Sequence, residues 1–295
     1  MHVLSAAGAR VRALVRKLDD PRAAPLKALP GVELFQGDFD DAASIAAALV
    51  GVQRAMLVSG AFAFEQFDRE TGFIELAAAA GVEVTVRIGT FSALIKPGTK
   101  GAYGRAHHGI STFIKDMGYP VVSLLPNWYL SNWMSNAGEA KASGTITMPV
   151  KGDGPRKSAF IDTKDVAAAA AAILTLPSAE LAPFIAKRDI EVHGPTPCNF
   201  ADVAAALSRA TGREIKINAV PRDAWVNTLV GYGLKRVFAT SFLETIEQAD
   251  GVLPKGYPAD TIDKIGELRT SPELLRIWAP KVTLDAWAES VKAAF

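Results

Sequence analysis

The chain has 295 residues, 49% of them hydrophobic and 21% charged, a balance ordinary for a well-packed soluble protein and far from that of a disordered or fibrous one. Lys and Arg total 32 against 31 Asp and Glu, a net charge of +1, so there is no electrostatic reason to expect nucleic acid or an anionic membrane as partner. No stretch approaches the roughly 20 apolar residues of a membrane span, and no basic segment followed by an apolar core opens the chain, so a cytoplasmic protein is expected. Cys198 is the only cysteine, which excludes an internal disulfide and suits a reducing compartment; with no activating base visible nearby it reads as a small half-buried residue.

Through the first half, strands and helices alternate. Apolar runs predict strands at 11–15, 31–36, 54–58, 82–88 and 120–125. Helical spacing predicts helices at 40–49 after an acidic start, at 67–80 before Gly81, and at 103–117 before Gly118. Such alternation with short joints implies parallel strands joined by right-handed crossovers. The rhythm changes after Pro126. Segment 127–160, rich in Trp, Asn, Gly and Pro, reads as loop; 164–174 reads as an alanine-rich helix and 189–192 as a short strand. Helices are expected at 201–211, 221–230, 234–249 and 284–294. No His/Cys/Asp/Glu cluster has metal-ligand spacing, and no Gly-x-Ser-x-Gly nucleophile turn is present.

Six segments, taken in order, resemble the NmrA-like family of atypical short-chain dehydrogenases. They are Val11-Arg12-Ala13-Leu14-Val15-Arg16-Lys17, Gly37-Asp38-Phe39-Asp40-Asp41, Arg105-Ala106-His107, Leu125-Pro126-Asn127-Trp128-Tyr129-Leu130-Ser131-Asn132, Phe160-Ile161-Asp162-Thr163-Lys164-Asp165-Val166-Ala167, and His193-Gly194-Pro195 leading into Phe200-Ala201-Asp202-Val203 and Thr211-Gly212-Arg213-Glu214-Ile215. The resemblance implies an α/β fold: a Rossmann-like, doubly wound parallel sheet with a smaller, mainly helical C-terminal lobe. Residues 1–126 would form the NAD(P)-binding domain, to which 160–193 return, and 127–159 with 194–295 the substrate lobe. Departures from the family pattern are Ile110 where many relatives carry a glutamate, Leu125 in place of an arginine, and Gly89-Thr90-Phe91-Ser92 in place of paired serines.

Such a domain opens with a strand, a glycine-rich turn and a helix, whose backbone donors cradle a pyrophosphate. Residues 1–10 read instead as the last two turns of that first helix, capped by Gly8. The sheet is therefore expected to miss its first strand, through a truncated form or a start codon placed late, or, alternatively, as a natural cofactor-free variant. Strands 11–15 and 54–58 would each lose a neighbour, leaving either a gap between them or a direct pairing. The expected cofactor is NADP, as NADPH, if the phosphate-binding loop belongs to the native protein, and none otherwise.

The candidate site residues follow from the resemblance and from the carboxyl edge of the sheet, where ligands bind in open α/β folds. For the cofactor they are Arg16 and Lys17, cations suited to a 2′-phosphate or merely facing solvent; Asp38, set against adenine in relatives or capping the next helix; and Ser59 and Gly60 after the 54–58 strand. Thr90 or Ser92 could hydrogen-bond a substrate carbonyl. Tyr103 and His107 share a helix face at i, i+4, where typical short-chain dehydrogenases carry Tyr and Lys. A neutral histidine activates a tyrosine less than a lysine does, so Tyr103 is either an acid or a packing residue, and His107 a polar group facing substrate or nicotinamide. Asn127, Trp128 and Asn132, with Tyr129 and Trp133, could wall a cleft for a flat apolar substrate or join the two lobes. The implied activity is NADP-dependent reduction of small quinones or carbonyls. The alternatives are a non-catalytic NAD(P) redox sensor acting on a protein partner and a form that binds no dinucleotide.

Overall fold

The computed structural model describes residues 1–60, 65–95, 99, 101–253, 264 and 266–295. The chain opens with a short helix α1 (His2–Ala6), followed by strand β1 (Val11–Val15), α2 (Ala24–Lys27), β2 (Val32–Gln36) and α3 (Ala42–Leu49). Next come β3 (Arg54–Leu57), α4 (Gln66–Ala79), β4 (Val84–Ile88), α5 (Ala102–Met117) and β5 (Val121–Pro126). Local chemistry sets these boundaries. The Asp41 carboxylate accepts the N–H groups of Ala43 and Ser44 and starts α3. Gly118, in the left-handed region at φ 72°, ends α5 where a side chain would be strained.

All the ladders are parallel, as expected. β3, β4 and β5 run side by side and β7 (Asp189–Val192) joins the outer edge of β5, giving the order β3-β4-β5-β7. β4 and β5 are buried on nearly every residue, as strands covered on both faces must be. Among the described residues β1 and β2 pair only with each other. Of the two outcomes predicted for β1 and β3, the unpaired one is found: among the described residues no ladder joins them. What links them is helix packing, with Leu14 of β1 and Ala55 of β3 meeting Ile45 and Leu49 of α3 in one cluster. Each of the two strands also carries an arginine that closes a helix end. Arg12 donates to the carbonyls of Ala48 and Val50 behind α3 at 2.8 and 2.9 Å. Arg54 donates to that of Leu174 at 2.9 Å, at the end of α7 (Thr163–Leu174).

The second lobe is mainly helical. It holds α6 (Ala137–Ser143), α9 (Phe200–Thr211), α10 (Arg222–Gly231), α11 (Arg236–Ala249) and a late helix Leu284–Val291; α8 (Ala182–Lys187) stands instead beside β7. Segment 127–160 is more ordered than its composition predicts. It contains a 3₁₀ stretch, Leu130–Asn136, then α6 and β6 (Thr145–Met148), which pairs with β8 (Lys216–Ala219). The lobe's core is aromatic: Trp128 stacks on Phe242 at 5.9 Å and 14°, and Trp133 meets Phe200 edge-on at 4.6 Å. Asp162 caps α7 through the N–H of Lys164, and the buried Asp165 receives the N–H groups of Lys281 and Val282, tying the C-terminal segment to that helix. No single helix among the described residues is long and apolar enough to cross a membrane.

Candidate functional site

Parallel strands deliver their carboxyl ends to one edge, and the candidate residues lie along it. Arg16 and Lys17 follow β1, Asp38 follows β2, Ser59 and Gly60 follow β3, Thr90 follows β4, and Asn127 follows β5. Arg16 and Lys17 are exposed. Asp38 is half-buried; its N–H is accepted by the Ser44 hydroxyl and its carboxylate accepts from Asp40 N, while Asp41 takes the capping role. Gly60 is exposed, with no atom of the described residues beyond its chain neighbours within 4 Å of the place a Cβ would occupy.

Beneath this edge lies a buried polar network built on Arg87 of β4. Its guanidinium donates to Glu70 of α4 at 2.9 Å, to Ser123 of β5 at 3.3 Å and to Nδ1 of His107 on α5 at 3.0 Å. Glu70 also accepts from Ser59 at 2.6 Å and from Gln66 at 3.0 Å. Arg87 and Glu70 are 0% and 1% exposed, so this is an ion pair sealed from water. A guanidinium has no acceptor to offer, so His107 Nδ1 must present a lone pair and the ring proton sits on Nε2. Burial, reinforced by the charge of Arg87, holds His107 well below the ordinary histidine range, and the ring is neutral. Nε2 faces Gln66 Nε2 at 3.3 Å, and that amide also donates to Glu70.

Tyr103 sits one turn before His107, the rings meeting edge-on at 4.6 Å. Burial pushes the phenol above its ordinary range, outweighing the neighbouring Thr90, which acts in the opposite direction. Tyr129 is raised by burial as well, and by the neighbouring Tyr103. The structure thus brings Thr90, Tyr103 and His107 together as uncharged donors above a buried ion pair. Nearby, a cleft of about 310 Å³ is lined by Ser92, Ala93, Lys264, Glu267 and Leu268, with Leu268 also packed in the cluster that contains Tyr103.

The three aromatic-segment candidates lie apart from that cluster. Asn127 is buried with every polar atom engaged: Oδ1 accepts the N–H of Trp128, and Nδ2 donates to Ser158 at 2.7 Å and to Nδ1 of His193 at 3.0 Å. Trp128 is 6% exposed in the second-lobe core, and Asn132 is exposed on the 3₁₀ stretch. Cys198 is buried, its thiol pushed up to about 12 by desolvation, in keeping with a packing role. No group of potential metal ligands occurs among the described residues. Sequence reasoning passed over Glu70, Arg87, Glu191 and His193. Arg87 carried a readable signal: a charge inside the apolar strand Val84-Thr85-Val86-Arg87-Ile88 must find a buried partner.

The NmrA-like family model matches residues 1–268. Among curated relatives, an NAD(P)H azoreductase of Xenophilus azovorans is 27% identical over 261 residues, 88% of this chain and 85% of that protein. A (4-alkanoyl-5-oxo-2,5-dihydrofuran-3-yl)methyl phosphate reductase of Streptomyces griseus is 29% identical over 242 residues, 82% and 79% of the two chains. Quinone oxidoreductase 2 of Escherichia coli is 26% identical over 227 residues, 76% and 73%. Two solved structures share the fold. An NADPH-dependent quinone oxidoreductase from Escherichia coli has a TM-score of 0.69 at 22% identity, covering 96% of this chain and 90% of that one. The negative transcriptional regulator NmrA in complex with NADP has a TM-score of 0.69 at 19% identity, covering 99% and 90%. With the model spanning most of its length, the chain belongs to the NmrA-like family.

Proposed function

We propose that this protein is an NADP-dependent oxidoreductase that reduces flat quinone-type or related conjugated substrates. The observation that carries the reading is the Thr90–Tyr103–His107 cluster of neutral donors at the carboxyl edge of β4. The names of its relatives, an azoreductase and a quinone oxidoreductase, support the substrate class. For the adenosine end of the dinucleotide the residues fit: Arg16 and Lys17 offer exposed cations for a 2′-phosphate, Asp38 follows the neighbouring strand β2, and no described residue crowds the Cβ position of Gly60. Donors for the diphosphate are not identified among the described residues. When bound, the reduced nicotinamide supplies a hydride equivalent.

The chain's own part is positioning and charge. Tyr103 stays protonated and donates its hydroxyl hydrogen to the oxygen that gains charge as the substrate is reduced, with Thr90 fixing its direction. His107, neutral and directional, orients this face while Arg87 and Glu70 hold it in place. A second reading, a dinucleotide sensor without turnover, draws on the same neutral His107, which stands where a lysine would activate the tyrosine, and on the likeness to a transcriptional regulator. NADPH oxidation against a panel of quinones separates them. Turnover supports the enzyme, and binding without turnover leaves the sensor.

A further inference from the structure

Two residues on the outermost strand of the main sheet, Glu191 and His193, are unassigned by the reading above, yet their contacts converge on the cleft beside Thr90 and Tyr103. They are spaced i, i+2 at the end of β7 and so lie on one face. His193 is 1% exposed, and its Nε2 lies 2.7 Å from Glu191 Oε2. With Asn127 donating to Nδ1, Nε2 carries the ring proton given to Glu191. The other carboxylate oxygen, Glu191 Oε1, accepts the backbone N–H of Ser92 at 3.0 Å. One wall of the cleft, Ser92–Ala93, is thus pinned by the Glu191 side chain.

The opposite wall, Glu267–Leu268, runs directly into Thr270 and Ser271, and these two residues bind the backbone of the same pair. Ser271 Oγ accepts the N–H of Glu191 and Ser271 N donates to its carbonyl; Thr270 Oγ1 accepts the N–H of His193 and donates to its carbonyl. Both walls therefore hang from one rigid point. Behind it, His193 is braced by Asn127, which is itself bonded to Ser158, and Gly194 passes so close to Phe160 that a Cβ would strike that residue's carbonyl.

The geometry points to Glu191 and His193 as positioning residues that set the width of a substrate cleft between Ser92–Ala93 and Glu267–Leu268. The inference rests on the proposed reductase reading for its substrate, but the tether itself does not. A cleft whose walls are fixed in this way resists widening around a bulkier ligand. Loosening either tether should weaken substrate binding before it affects the chemical step.

The test compares Ser92→Pro with Ser92→Ala. Both lack the hydroxyl, and only the proline lacks the N–H that Glu191 accepts. Ser92 is the first residue of a 3₁₀ turn, a position that accepts proline, and Phe91 before it is extended at ψ 143°. Glu191→Gln is the second variant. With NADPH and naphthoquinone, Ser92→Pro should show a KM about tenfold above that of Ser92→Ala, the scale expected for losing a hydrogen bond to a charged group, with similar kcat. Glu191→Gln should raise KM by a similar factor, and backbone hydrogen exchange should accelerate together in 89–95 and 266–271. A KM equal in the proline and alanine variants, or exchange rising in one wall alone, would overturn the assignment. If the wild-type protein turns over no quinone, the functional reading fails on its own, and the paired exchange result still decides whether Glu191 couples the two walls.

Discussion

Replacing Glu70 by Gln keeps the size of the side chain and removes the carboxylate paired with Arg87. In the native protein the two lie 2.9 Å apart at 1% and 0% exposure, so neither can turn to water when its partner is lost. Removing one member of such a pair leaves a buried charge unpaired and costs about 3–5 kcal/mol. Against a total stability of roughly 5–15 kcal/mol, that is a large share. At about 2–4 °C per kcal/mol for proteins of this size class, the melting temperature should fall by roughly 6–20 °C. Folding should suffer much less when both members are replaced by apolar residues of similar volume, as in Glu70→Leu with Arg87→Met, because no charge is then stranded. Thermal and urea melts of the two variants, followed by circular dichroism, make the comparison. A Glu70→Gln protein that melts within about 2 °C of the wild type, outside the range just derived, would refute the sealed pair. The tautomer assigned to His107 would then lose its support.

Other outcomes follow from groups whose protonation the fold controls. Asp250 accepts the N–H groups of Phe200 and Gly152, and desolvation lifts its carboxyl from 3.8 to about 6. Because the folded value lies above the unfolded one, this contribution to stability is fully present below about pH 4 and is lost as pH rises through 6. Asp250→Asn should therefore be more destabilising at pH 4.5 than at pH 7.5, by about 2 kcal/mol, and an unchanged difference in urea melts would contradict the assignment. Tyr103→Phe should lower kcat by about a hundredfold or more at an unchanged affinity for NADPH. With His107 held low and Tyr103 held high, the wild-type rate should be flat between about pH 6 and 9; a histidine-like shoulder would count against a neutral His107. Cys198, buried and pushed up to about 12, should resist thiol reagents until the chain unfolds, and labelling of the native protein would place it nearer the surface than described.

Much of the first half was legible because parallel strands are apolar along their length and their helices carry their own stops. Val121-Val122-Ser123-Leu124-Leu125 could hardly read as anything else, and Asp41 and Gly118 mark boundaries where the structure has them. The segment after Pro126 was harder. β6 and β8 are four residues each, β8 is largely exposed, and they pair across some 70 residues of chain, so no local pattern announces them. In the site, the i, i+4 spacing of Tyr103 and His107 was visible, and the structure adds their ring contact and the neighbouring Thr90. What sequence could not supply was the partner of each polar group. Arg87 reaches Glu70 on another element, and Asn127 meets His193 only because β5 and β7 are neighbours. The aromatic run 128–133 read as a cleft wall or as a joint between the two lobes, and Trp128 and Trp133 lie in the core of the second.

The most direct test of the account is NADPH consumption by the wild-type protein with naphthoquinone, followed through loss of the nicotinamide absorbance. One hydroquinone should form per NADPH oxidised, with NADPH favoured over NADH by about tenfold or more in kcat/KM, the scale of a charge-assisted contact to Arg16 or Lys17. No turnover across the quinone panel, or equal use of the two dinucleotides, would contradict it.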